Sequence, residues 1–412
     1  MRRILKVFDF QLIIGKPYNN GVLCKKSGPM NIHCSRFSLI SGFVVVTTLL
    51  IGAFVGCDGG NTMGSSAATK EATTKEMLPV TVDCLAPGAD CTLRMIAEQG
   101  DVMIGAAVRP ELIKTDPDYA YVLKAEFNSI TAEGSMKWDA LHPDRHNYDF
   151  SPADELVEFA EANRMSVRGH TLIWAQQIVD STPGYVKDIT NPSDLRDLTT
   201  EHIRTVVGHY RGRVDCWDVV NEPLDTFGNE LHNNIFNQLL GPGYIAEAFH
   251  IAHQADPEAK LFLNEIGISV EGPRLDAFLA LVKDLIAKGV PIHGVGIQGH
   301  YISPINPDEL HDIVQTFADL GLMVEITELD IMLHTDEENP LDSQRREYYD
   351  VINACLSVPD CRRITMWGFT DRYTWFDSFF GPGLDPLPFD EEYGRKPAYF
   401  GIYEALLNRI EM

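Results

Sequence analysis

The chain has 412 residues, 45% of them hydrophobic and 23% charged, which permits a large buried core and excludes a disordered polymer. The formal net charge is −25; the seven Lys/Arg and one Asp of residues 1–57 carry +6, so the remainder carries −31. A body that acidic repels phosphate backbones and anionic headgroups, so no nucleic-acid partner is expected and an uncharged polymer suits it better.

Arg36 precedes an uncharged run, FSLISGFVVVTTLLIGAFVGC, that ends at Cys57. A basic flank, an apolar run and a small residue before cysteine make a secretory signal. FVGC is similar to a lipoprotein processing box with Cys57 as the lipidated residue, although leucine is more usual where Phe54 stands. The same run has about the length of an uncleaved spanning anchor. Residues 1–57 are therefore read as an N-terminal extension and signal/lipoprotein segment, with Met30 as an alternative start to Met1. Residues 58–80, opening DGGNTMGSS, form a small, polar, flexible linker. A secreted monomer is expected, held at a bacterial cell surface or in the periplasm, with membrane contact through the anchor only.

Eight cysteines follow the same division. Cys24, Cys34 and Cys57 belong to the N-terminal segment. Cys84 and Cys91 form one close pair and Cys355 and Cys361 another, and close pairs downstream of an export signal read as disulfides. A metal site is the competing reading, but no CxxC or histidine spacing accompanies them, and no metal is expected. Cys216, inside the apolar VDCWDVV, reads as a buried core thiol.

Residues 81–412 read as one catalytic domain. Strands are expected at 103–108 (MIGAAV), 129–133 (SITAE), 166–174 (SVRGHTLIW), 216–222 (CWDVVNE), 260–265 (KLFLNE), 294–300 (GVGIQGH), 322–331 (LMVEITELDI) and 363–371 (RITMWGFTD). Helical spacing fills the intervals, as in ADELVEFAEANR and PRLDAFLALVKDLIAKG. Eight β-α repeats predict an α/β fold, a single (β/α)8 TIM barrel. An open doubly wound sheet is the alternative, but no glycine-rich phosphate loop follows an early strand. In such a barrel chemistry sits at the C-terminal strand ends, where AE, GHTLIW, VNE, NE, QGH, TELD and WGFTD all fall.

Two glutamates stand out, Glu222 ending the fourth strand and Glu328 near the end of the seventh. These strands are expected to face each other across the barrel, so that the two carboxyls converge over its mouth. A pair about 5–5.5 Å apart is what retaining glycoside hydrolysis needs, one attacking the anomeric carbon while the other protonates the leaving oxygen. Mutual repulsion leaves one of them protonated near neutral pH. Mouth acids in salt bridges, or a metal site, are the plainer alternatives for either residue taken alone.

FNSITAEGSMKW, RGHTLIW, WDVVNEP, GIQGHY, ITELDI and WGFTDRYTW, in this order along the chain, resemble glycoside hydrolase family 10, as do IGAAV and PLPFDEEYGRKPAY. The likeness covers residues 92–408. It implies a retaining endo-β-1,4-xylanase acting on xylan without calcium or an organic cofactor, Glu222 being the acid/base and Glu328 the nucleophile. Asn221 matches the residue that holds the sugar 2-hydroxyl and the nucleophile. Gln298 and His300, two apart on one strand and so facing the same way, match the pair flanking the nucleophile, and Asp330 is placed to orient His300 and fix its tautomer. Glu133, Lys137, His170, Trp174 and Gln177 match glycone-side positions. Trp367 and Trp375 match a sugar platform whose faces suit C–H surfaces and whose N–H groups can bond hydroxyls. The loop 355–361 resembles a disulfide loop of some members.

Several residues depart from the family pattern. Gly134 replaces an asparagine, Ala175 a histidine, QIVDSTPGY a stretch with proline and tryptophan, and Asn264–Glu265–Ile266–Gly267 an Asn-Asp-Tyr-Asn run. Gly134 and Ala175 imply a roomier glycone side that takes a decorated chain or a different sugar. Two further readings remain: a retaining enzyme for another β-glycan, and a non-catalytic glycan-binding lipoprotein.

Overall fold

This computed structural model describes residues 23–26, 32–35 and 82–411, apart from 87, 177–180, 226–227 and 336. The expected signal segment, Cys57, the linker 58–80 and Gln177 lie outside the described residues. The chain divides into two units, Met1–Glu76 and Met77–Met412. In the first, the described residues form a short antiparallel pair, Leu23–Lys26 with Ile32–Ser35, which the apolar pattern did not suggest.

The second unit is the barrel. Its strands are β1 (Met103–Val108), β2 (Ser129–Ala132), β3 (Ser166–Trp174), β4 (Cys216–Asn221), β5 (Lys260–Glu265), β6 (Gly294–Ile297), β7 (Met323–Ile331) and β8 (Cys361–Met366). Each pairs in parallel with the next, and β8 closes the ring on β1 through Ile364↔Ile104 and its neighbours. The strands are almost wholly buried along their length, which is why they read as continuous apolar runs rather than alternating ones. Helices cover the outside, and several begin at an Asx-Pro or Gly-Pro step. Asp116, Asn191 and Asn306 each cap the helix that starts at the following proline by accepting main-chain N–H groups. The carboxy-terminal helix Pro397–Glu411 packs against Pro340–Leu356.

Both expected disulfides are formed, Cys84–Cys91 and Cys355–Cys361. The second joins the end of helix Pro340–Leu356 to the first residue of β8. Cys216 is a free, buried thiol, but its surroundings are ionic: its Sγ lies 2.8 Å from Arg363 Nη1 and 3.6 Å from Arg168 Nη1. Burial outweighs these cations and pushes the thiol up to about 11. Inside the barrel Arg168, fully buried, binds Asp218 and Glu325.

One expected strand is broken. β6 stops at Ile297, and His300–Tyr301 forms a separate short strand beside Asp330–Ile331. Gly299, at φ +82°, makes the step between them. Gln298 and His300 therefore do not share one continuous strand.

The close approach of β3 and β4 below the site is a glycine requirement. A Cβ on Gly169 would lie 2.2 Å from Cε3 of Trp217, which is fully buried. Gly169→Ala must displace that indole and is expected to destabilise the protein by about 1–3 kcal/mol. Because Gly169 precedes His170, activity should fall with it. Chemical denaturation of the variant checks this, and an unchanged midpoint would contradict the packing described.

Candidate active site

The site lies at the C-terminal ends of the strands. Glu222 directly follows β4, and Glu328 lies in β7. They are not diametrically opposed, as expected above, because β5 and β6 alone separate β4 from β7. That interval matters, since the end of β5 supplies the amide that links the two acids, Asn264, and the end of β6 supplies Gln298, which bonds Glu222. Glu222 adopts a left-handed backbone, φ +53°, uncommon for a side chain of its size, and its N–H donates to Asn264 O at 2.9 Å.

A continuous hydrogen-bonded chain joins the two acids. Gln298 Nε2 donates to Glu222 Oε1 at 2.9 Å and lies 3.4 Å from Asn221 Oδ1. Asn221 Nδ2 donates to Glu222 Oε1 at 3.3 Å. Asn264 Nδ2 donates both to Asn221 Oδ1 and to Glu328 Oε1, each at 2.7 Å. Thr327 Oγ1 donates to Asn264 Oδ1 at 2.7 Å and so fixes which way that amide points. Asn221 thus reaches Glu328 through Asn264, and Gln298 touches Glu222 rather than Glu328.

The surroundings shift the two carboxyls in opposite directions. Burial raises Glu222 above the ordinary carboxyl range; the Gln298 bond opposes this and the charge on Glu328 adds to it. Its Oε2 and the indole N–H of Trp174 are both buried and neither closes a hydrogen bond of normal geometry. Burial would raise Glu328 too, but the His300 hydrogen bond, then the charges of His170 and His300, bring it below its ordinary value. His300 Nε2 is 3.3 Å from Glu328 Oε2 and its Nδ1 2.9 Å from Asp330 Oδ1. Burial would deprotonate this imidazole, yet the flanking carboxylates of Asp330 and Glu328 push it up to about 10. A carboxyl shifted up and a carboxyl shifted down, both buried in one cleft, are the pairing that proton donation to oxygen and attack at carbon call for.

Aromatic and cationic groups wall the cleft. Lys137 Nζ sits 4.5 Å from the centroid of the Trp174 ring and 5.9 Å from that of Trp367. His170 and His300 meet Trp367 edge-on at 5.2 and 6.2 Å. Trp375 lies 5.2 Å from His300, and its N–H donates to Asp330 Oδ2 at 2.7 Å. That N–H is therefore committed to positioning Asp330 and is not free for a sugar hydroxyl. Glu133 receives Arg109 Nε on both oxygens at 2.9 Å. Next to it lies an open pocket of about 370 Å³ lined by Arg109, Pro110, Glu133, Gly134 and Lys137 among others. A Cβ at Gly134 would meet nothing within 4 Å, so the opening at this position is real. Ala175 is buried and adds nothing to it.

Two functional groups went unnoticed in the sequence. Asp218 Oδ2 bonds His170 Nδ1 at 2.9 Å and receives Arg168 Nε at 3.0 Å; its signal was an acid inside the apolar run WDVV. Asn264 was visible only as part of a departure from the family pattern. Among the described residues no group of three or more His, Cys, Asp or Glu side chains is arranged to hold a metal ion.

A closed parallel barrel carrying two buried, amide-linked carboxyls at its mouth defines a glycoside hydrolase of the (β/α)8 class. The chain belongs to glycosyl hydrolase family 10, whose model matches residues 92–405. Endo-1,4-beta-xylanase B of Thermotoga neapolitana is 38% identical over 329 residues, 78% of this chain and 93% of that relative. A beta-1,4-xylanase of Dictyoglomus thermophilum is 42% identical over 301 residues, 69% of this chain and 83% of that relative. Among solved structures, native xylanase 10B from Thermotoga maritima superposes with a TM-score of 0.74 at 37% identity, covering 78% of this chain and 99% of that one. Xylanase 10B from Thermotoga petrophila, solved with xylobiose, matches with the same score, identity and coverage.

Proposed function

We propose that the protein is a retaining endo-β-1,4-xylanase in which Glu328 is the nucleophile and Glu222 the acid/base. The Glu328 carboxylate attacks the anomeric carbon as the glycosidic C–O bond breaks, and the Glu222 proton goes to the departing oxygen. The resulting ester removes the charge on Glu328. Glu222, now a carboxylate, takes a proton from water, whose oxygen displaces the ester and restores the original anomeric configuration. Asn221 holds the 2-hydroxyl, Lys137, Glu133 and His170 bind the glycone sugars, and Trp174, Trp367 and Trp375 enclose them. The observation that carries this reading is the pair of buried carboxyls at the barrel mouth, joined by the hydrogen-bonded amides of Asn221 and Asn264, with His300 beside Glu328.

A 2-fluoro-xyloside with an activated leaving group is expected to trap the wild-type protein on Glu328 with a stoichiometric burst, and Glu328→Ala to abolish both the burst and turnover. Glu222→Ala should slow substrates with poor leaving groups about 10²–10⁴-fold and activated aryl glycosides far less. Turnover without labelling at Glu328 would overturn the assignment, and absence of any glycan cleavage would favour a non-catalytic binding protein.

The opening beside Gly134 favours a second, finer reading, a glycone side that admits a substituted chain or another β-linked sugar. Restoring the family side chain with Gly134→Asn is expected to raise kcat/KM on plain xylo-oligosaccharides relative to substituted ones, a gained hydrogen bond contributing about 0.5–1.5 kcal/mol. An unchanged ratio would count against the idea.

The reading extends to placement. Export, processing at Gly56–Cys57 and lipidation of Cys57 would tether a monomeric barrel domain, 81–412, by the linker 58–80. This rests on the apolar run, the FVGC junction and the two disulfides. Metabolic palmitate labelling that disappears in Cys57→Ser is the expected result; labelling that persists, or a mature protein retaining residues 1–29, would contradict it.

A further inference from the structure

A third buried glutamate lies beside the acid/base, and nothing in the reaction as described employs it. Glu265 ends β5 and is completely buried. Its Oε1 accepts from Ile266 N–H at 2.9 Å and from Arg274 Nη2 at 2.8 Å, and its Oε2 accepts from the N–H of Leu224 at 3.0 Å. Leu224 is two residues beyond Glu222. Arg274 stands in the first turn of helix Pro273–Ala287, and its other donors all go to main-chain carbonyls. Nε donates to Ile266 O at 2.8 Å, and Nη1 to Asp225 O at 2.6 Å and Gly228 O at 3.0 Å. Four of the five N–H groups of a guanidinium are thus spent on joining the segment after Glu222 to the segment after β5. Gly267, at φ +69°, makes the left-handed turn that follows the end of β5 beside the arginine.

The segment so held folds back on itself. Leu224 bridges to Leu231, Asp225 N–H donates to Glu230 O at 2.8 Å, and His232 N–H to Pro223 O at 2.8 Å. Its root is Glu222, whose left-handed backbone must be maintained from outside. The end of β5 does so on both sides of that residue. Asn264 O takes the Glu222 N–H, and the next residue, Glu265, takes the Leu224 N–H. Burial works to raise the Glu265 carboxyl, and the Arg274 guanidinium 2.8 Å away favours its ionised form. A buried ion pair is a poor source of net stability compared with an apolar pair of the same volume, whereas a planar, forked cation meeting one carboxylate and three carbonyls is a precise fixture.

We propose that Glu265 and Arg274 are positioning residues that hold Glu222 at the angle from which it protonates the leaving oxygen, acting through Leu224 and Asp225, which follow it closely in the chain. The proposal rests on the assignment of Glu222 as the acid. It makes a distinction that a purely structural role does not, because an ill-placed acid harms only substrates that need protonation.

The test compares kcat/KM on an unsubstituted xylo-oligosaccharide with kcat/KM on a 2,4-dinitrophenyl xylobioside, whose phenolate leaves unaided. Both are normalised to active sites counted by the 2-fluoro-xyloside burst, which removes any loss from misfolding. Arg274→Met is expected to lower the oligosaccharide value by about tenfold or more, and the aryl value by less than about threefold, a fraction of what a general acid supplies. Glu265→Gln should show the same imbalance. Arg274→Lys, which keeps the charge and loses the fork, should recover part of it. Equal losses on the two substrates per active site, or an unchanged ratio, would overturn the proposal. If Arg274→Met does not fold, Glu265→Gln and Arg274→Lys carry the comparison, and an unchanged ratio in both has the same consequence. Glu222→Ala run alongside separates the two levels. If it shows no imbalance, the acid itself is misassigned; if it alone does, Glu265 and Arg274 do not position it.

Discussion

His300 stands between two carboxyl groups, with Nδ1 2.9 Å from Asp330 and Nε2 3.3 Å from Glu328, and its hydrogen bond and charge bring Glu328 below the ordinary carboxyl value against the opposing effect of burial. Much of the site follows from this arrangement. The charge on Glu328 helps retain the proton on Glu222, and Trp375, by donating to Asp330, holds the far end of the imidazolium's partner in place. With Glu328 as nucleophile and Glu222 as acid, as proposed, the signs give a bell-shaped dependence of rate on pH. Activity falls as acid protonates Glu328 below its depressed pKa, and falls again as base removes the proton from Glu222 above its raised one.

The links between the acids are neutral amides, and that choice has a physical reason. Asn264, Asn221 and Gln298 transmit orientation across β5 and β6 without adding charge, so the difference between the two carboxyls survives. Ionic groups are kept one layer lower, where Arg168 binds Asp218 and Glu325 and Asp218 in turn holds His170. The site therefore combines a neutral bridge between the acids with a buried ionic cluster that holds His170, while His300 and Asp330 flank Glu328.

Much of the barrel was legible in the chain because its strands are buried on both faces and so appear as short apolar runs, while its helices begin at Asx-Pro or Gly-Pro steps that announce themselves locally. Glu222, Glu328 and His300 were legible for a related reason, each being a polar residue at the end of such a run. What the chain concealed was pairing across long sequence separations. GIQGHY reads as one alternating strand, and only the positive φ of Gly299 reveals the break. Nothing near Trp375 indicates that its N–H belongs to Asp330, nothing near Glu133 that Arg109 grips it, and nothing near Glu265 that Arg274 reaches over to it. The sparing of β5 and β6 between the acids was obscured by treating strands four and seven as opposed. Ala175 looked like lost volume in the cleft, yet its side chain is in the core, so the roominess belongs to Gly134 alone.

The account depends on Glu222 feeling the charge of Glu328. A carbon-13 NMR titration of the Glu222 carboxyl, made on the free protein and again on the protein trapped as its 2-fluoro-xylosyl ester, measures this directly. Loss of the Glu328 charge is expected to lower the Glu222 pKa by at least about one unit, equivalent to roughly 1.4 kcal/mol of interaction. A pKa that stays where it was, with the ester in place, would contradict the coupling on which the proposed acid/base exchange rests.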